Sequence, residues 1–382
     1  MARGIFGRSR ETAAAAQGAP RAKASAAGRV MAMASMGRVA WSPRDAASLT
    51  RAGFTENPIG FRSVRLIAEA AAALPLTCQD GERRYEVHPV LALLRRPNPG
   101  QGCAELLEAL YGQLLLTGDG YLEAVGEGLP VELHVLRSDR MSVIPDRDGW
   151  PAGFEYTVGG KRVRFAPEAV CHVRTFHPQD DHHGLSPMQA AAAAVDVHNA
   201  ASRWSKALLD NAARPSGALV VGGTALTDAQ FDRLKGELET NYQGAGNAGR
   251  PLLLEGGLDW KPMGFSPTDM EFRDVKAAAA REIATAFGVP PMLLGIPGDA
   301  TYANYAEANR AFYRQTVIPL VRRTAEALAH WLEPAFGPAR LEPDLDAIEA
   351  LAPERESLWR RVQAADFLTE AEKRAAVGYG PG

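Results

Sequence analysis

Two adjacent prolines, Pro290 and Pro291, constrain this chain more than any other feature, because neither can continue a helix and each restricts the residue before it. They interrupt a stretch, 266–332, that is otherwise written for helices. Ser266-Pro267-Thr268-Asp269 reads as a helix start, with a capping serine, a proline suited to the first turn and an acid that closes a capping box. Phe272, Val275, Ala279, Ile283 and Phe287 then form one apolar stripe, and Gly288 ends it. After the prolines come Met292-Leu293-Leu294-Gly295 and a loop to Ala300. A second helix is expected from Tyr302, with Phe312, Thr316, Leu320, Thr324, Leu328 and Trp331 on one face. Pro319 lies inside it and predicts a kink over 315–319. The stretch carries no catalytic constellation; it is a mechanical element.

The rest of the chain can build cores around that element. Of 382 residues, 46% are apolar and 23% charged, and the length suits roughly two to three domains. A net charge of -3 argues against a wholesale nucleic-acid coat. Cys78, Cys103 and Cys171 are odd in number and far apart, which fits a reducing cytoplasm and no disulfide framework. No apolar run reaches the roughly 20 residues that span a bilayer. Residues 1–51 hold nine Arg or Lys against Glu11 and Asp45, so a disordered basic arm is expected over 1–56.

Folding is expected to begin at Asn57-Pro58, with a helix to Leu74 and a strand from Leu76. A helix from Cys103 to Leu116 leads through Gly118-Asp119-Gly120 into a strand over 121–125, and short antiparallel strands follow over 131–165. Ser186-Pro187-Met188-Gln189 opens an alanine-rich helix running to Ala212. Ala218 to Val221 reads as a strand, Thr227 caps a further helix, and 250–255 reads as another strand. Residues 334–343 read as a linker before two short C-terminal helices.

Two patterns suggest chemistry. Cys171, His172, His177, Asp180, Asp181, His182 and His183 are all metal-ligand types, as a metal-dependent hydrolase would need. Their spacing follows no ligand pattern, and Cys171 and His172 would point to opposite faces of a strand. An exposed polar loop accounts for them better. Gly244-Ala245-Gly246-Asn247-Ala248-Gly249 spells a dinucleotide fingerprint, but a helix precedes it and a strand follows, the reverse of the order that brings phosphate to a helix N-terminus. No catalytic, cofactor-binding or metal residue is assigned, no cofactor is expected, and the chain is not expected to be an enzyme.

The run EIATAFGVPPMLLG followed by TYANYAEANRAFYRQTVIPLV resembles tailed-phage portal proteins, the head-to-tail connectors of the lambdoid, long-tailed type. HPVLALLRRPNP, LLLTGDGYLE and the C-terminal DFLTEAEKRAAVGY are similar to the same family, so the likeness covers roughly 57–380. It implies an α+β, portal-type fold. An α/β wing would occupy 57–184, two helical stem segments (185–212 and 267–288) would flank a small α/β clip at 213–266, and a channel loop at 289–303 would precede a long kinked wing helix over 304–340. Residues 341–382 would form a C-terminal helical segment with a small crown or none.

The resemblance further implies a ring of about twelve copies at one vertex of a capsid, assembled in the bacterial host cytoplasm and carried in the virion. Its partners would be double-stranded DNA passing without sequence recognition, the terminase large subunit, a head-tail adaptor and the major capsid protein, with no membrane. Gly298, Asp299, Thr301, Tyr302, Asn304 and Tyr305 are the candidate channel-facing residues. The compact length suits a gene transfer agent or prophage. A different ring-forming head-tail adaptor is the other structural reading; few such proteins need a strand-rich insert between two long helices.

Overall fold

The computed structural model describes residues 41–80, 83–85, 87–210, 217–221, 258–262, 272–298 and 301–379, with most of 227–236. Contacts divide the chain into one unit built on 215–264 and another built on 41–214 and 265–382.

In the larger unit, Asn57 caps helix α2 (Pro58–Ala72) by accepting from the amides of Ile59 and Gly60 at 3.0 Å each, and Pro58 occupies the first turn. Val64, Ile67, Ala68 and Ala71 recur at helical spacing and are buried. Helix α3 (Pro89–Arg95) follows, and α2 packs on α4 (Cys103–Thr117). Gly118 ends α4 in the left-handed region and turns the chain into strand β3 (Asp119–Val125).

Strand β3 is central in an antiparallel sheet between β4 (Glu132–Leu136) and β8 (Val170–Arg174). Alternation along it splits two cores. Leu122, with Leu133 and Cys171, faces the helices, while Tyr121, with Leu136 and Val170, faces a second sheet of β5 (Met141–Pro145), β6 (Pro151–Val158) and β7 (Lys161–Phe165). Fully burying side chains such as Leu106, Leu110 and Leu122 stabilises this unit by about 1.5–3 kcal/mol each.

Ser186 caps the helix start at α5 (Pro187–Ala190), its Oγ accepting from the Gln189 amide at 2.9 Å, and α6 (Ala192–Asp210) continues from it. Helix α7 (Phe272–Ala286) packs on α6. Then α8 (Tyr302–Phe312), a π-helical turn at Tyr313–Val317 and α9 (Ile318–Phe336) run as one interrupted helix. Pro319 has no amide hydrogen and would clash with a regular preceding turn, so the interruption falls just ahead of it. The C-terminal helices are α10 (Ala352–Gln363) and α11 (Glu370–Ala376); Thr369 and Glu372 close a full capping box on α11.

Two expectations fail. The basic arm does not extend to residue 56: Asp45 caps α1 (Ala46–Thr50), a π-helical turn covers Arg51–Thr55, and Leu49 is buried. These turns lack apolar periodicity, and contacts with distant residues hold them; Ser42 donates to Asp196, and the Ala52 carbonyl accepts from Asn199. Nor is 334–343 a linker. Helix α9 continues past Pro334, and Arg340–Pro343 is strand β11, which pairs antiparallel with β1 (Leu76–Asp80) beside β2 (Arg83–Tyr85).

In the smaller unit, β9 (Gly217–Val221) pairs antiparallel with β10 (Leu258–Pro262). Thr227 accepts from the Gln230 amide at 3.4 Å, as a helix cap does. The glycine-rich 244–249, the strand expected over 250–255 and the capping box expected at 266–269 lie outside the described residues.

Candidate functional site

The chain leaves α7 through Gly288, whose φ of 66° is open to glycine and strained for other residues. The Thr316 hydroxyl, in the π-helical turn, donates to the Gly288 carbonyl at 2.6 Å and fastens this exit to the long helix. Pro290 is extended, and Pro291–Leu294 forms a single 3-10 turn. The chain then doubles back on α7. Ile296 is 8% exposed and packs with Ala280 and Ala284, while the Arg281 guanidinium donates to the Pro297 carbonyl at 2.6 Å.

Gly298 is the first exposed bend beyond this root, and Asp299 lies outside the described residues. Thr301 caps α8, accepting from the Asn304 amide at 3.2 Å. Tyr302 stands in the first turn. Asn304 is exposed, and Tyr305 is 52% exposed. Gly298, Thr301, Asn304 and Tyr305 are thus exposed beyond a root at Ile296 and Pro297, and Tyr302 lies in the first turn of α8.

That root was not foreseen. Gly295 does not loosen the chain: it holds a left-handed turn that ends the 3-10 turn, and buried Ile296 follows it. The signal that could have found the root is the pair Ala280 and Ala284, one helical turn apart and small enough to admit a branched side chain.

Charge around the element is mixed. Arg273, Asp274, Arg281 and Glu282 are exposed on α7, and on α8 Arg310 pairs with Glu307.

The possible metal donors do not converge. Cys171 faces the helical core, and burial pushes its thiol up to about 12. His172 lies on the opposite face, its Nε2 2.8 Å from the Asp119 carboxylate and its ring stacked on Tyr121 at 4.3 Å. In the following loop, burial opposes ionisation of Asp180, but the amides of His182 and His183 and the His183 ring hold its carboxyl down to about 2. Among the described residues no group of three His, Cys, Asp or Glu is placed to hold a metal ion. Nor does any helix among them have the length and apolarity to cross a membrane.

The chain matches the phage portal protein family over residues 58–378. It is similar to a chain in the neck of a native gene transfer agent (GTA) particle computed with C12 symmetry, at 64% identity over 94% of this chain and 100% of that one, with a TM-score of 0.69. An uncharacterised protein of Rickettsia bellii (strain RML369-C) is 40% identical over 85% of this chain and 87% of its own length. The portal protein of Enterobacteria phage HK97 is 27% identical over 75% of this chain and 70% of its own length.

Proposed function

Because this chain belongs to the phage portal protein family, we propose that about twelve copies close into a ring that conducts DNA into and out of the head of a gene transfer agent or related phage particle. The protein is a structural component of the particle's neck, not the hydrolase that the histidine-rich loop suggested. Likeness to the neck chain over nearly its whole length carries this reading.

In this reading, 57–184 and the long helix over 304–340 form the wing that meets the major capsid protein. Helices α6 and α7 form the stem, and 213–266 is the clip that docks the terminase large subunit and then a head-tail adaptor. The partly independent packing of 215–264 supports the last assignment. The channel loop spans 289–303, with Gly298, Asp299, Thr301, Tyr302, Asn304 and Tyr305 nearest the DNA. Base-specific or densely cationic contacts there would stall translocation, and the balanced charge of α7 and α8 supports passage without capture. No chemical step is assigned to the protein.

Disrupting the coding sequence in the strain that encodes it tests this function. Nuclease-protected DNA in released particles is expected to vanish and to return with the intact chain supplied in trans. Undiminished protected DNA would overturn the proposal.

A further inference from the structure

We infer that His198 is an acid-sensitive clasp: its neutral Nδ1 ties α6 to the first turn of α2, and protonation opens that tie. The hydrogen bonds of the junction determine its orientation. The Asn57 side-chain oxygen is committed to the amides of Ile59 and Gly60, so its NH2 group must face α6. One of its hydrogens goes to the Asn199 side-chain oxygen at 2.9 Å, and the other meets His198 Nδ1 at 3.2 Å. Asn199 cannot flip to relieve this arrangement, because its own NH2 donates to the Ala52 carbonyl at 2.8 Å. His198 Nδ1 must therefore accept, which makes the ring the neutral tautomer with its hydrogen on Nε2. A proton on Nδ1 would set two donors against each other with no acceptor between them.

The charges around the ring oppose that proton as well. His198 is 3% exposed. From α7 the Lys276 ammonium acts on it, α2 presents the Asn57 amide, and the π-helical turn presents the Ala52 carbonyl, already bonded to Asn199. Arg51 and Glu56, at the ends of that turn, are exposed. On α6 itself the Asp196 carboxylate is engaged by Ser42 and Arg44. Burial and then Lys276 lower the affinity of His198 for a proton, with Asn199 partly offsetting them. The folded state thus binds this proton less readily than the unfolded chain. The stability that His198 contributes is whole above about pH 6.5 and is lost as the pH falls through the lowered folded value.

Amide hydrogen exchange on the full chain between pH 7.5 and 5 provides the test. Protection of the α2 first turn, read at Gly60 and Phe61, is expected to fall by up to about tenfold per pH unit below about 6.5. In His198→Asn, whose side-chain oxygen can accept from Asn57 without titrating, that extra fall should disappear. An equal fall in wild type and variant would overturn the clasp. Should the variant not fold, the 15N imidazole signals of the wild type decide: an unprotonated Nδ1 at pH 7.5 supports the clasp, and a protonated one overturns it.

Discussion

Replacing Tyr302 and Tyr305 with alanine is expected to leave ring assembly and thermal stability unchanged while lowering nuclease-protected DNA in particles by about tenfold or more. Tyr305 is 52% exposed and its neighbours over 303–307 are exposed as well, so its removal opens no cavity there. Both tyrosines follow a root pinned by Ile296 and by the Arg281–Pro297 hydrogen bond, which would hold the loop in place against moving DNA. Contacts worth about 1.4 kcal/mol during translocation would give a tenfold change in rate. The measurement is protected DNA per assembled particle, with the ring imaged from the same preparation. Unchanged packaging with intact rings would mean that these side chains do not act on DNA and would move the channel contact elsewhere.

Asp119→Ala is expected to destabilise the fold strongly. Asp119 is 5% exposed, and one of its oxygens accepts from the Gly184 amide at 2.9 Å and from His172 Nε2 at 2.8 Å. It therefore joins the start of β3, the neighbouring strand β8 and the chain entering α5. Truncation strands the buried Gly184 amide and the half-buried His172 donor and leaves a space beside the stacked His172 and Tyr121 rings. Each donor left without an acceptor costs about 1–3 kcal/mol. Asp119→Asn keeps one acceptor oxygen and is expected to lose only about 1–2 kcal/mol. Denaturant unfolding of the three proteins checks the order; an alanine variant as stable as the asparagine one would show that Asp119 does not hold this junction.

Local signals in the sequence carried most of the fold. Capping residues at Asn57, Ser186, Thr301 and Thr369 start helices where those side chains meet the next backbone amides, a bond made within three residues. Pro319 marks the π-helical interruption, and alternation over 121–125 marks the strand between two cores. What stayed hidden depends on partners far along the chain. Strand β11 reads as a linker because its pairing strand lies about 265 residues earlier, as the Thr77 to Glu342 hydrogen bond shows. Helix α1 and its π-helical turn look like arm because Asn199 and Asp196 hold them. At the candidate site, the loop was legible from its glycines and prolines. Its root was not, because Ala280 and Ala284 leave room for a branched side chain without naming Ile296 as the one that fills it.

That this chain is a ring-forming portal subunit is open to a decisive check in the mass and shape of the purified protein. Closed symmetry and likeness to a chain in a neck computed with C12 symmetry predict a single cyclic species of about twelve subunits, seen as a ring with a central channel by electron microscopy and weighed intact by native mass spectrometry. A folded protein that remains monomeric at high concentration, or that assembles into open filaments with no closed ring, would contradict it.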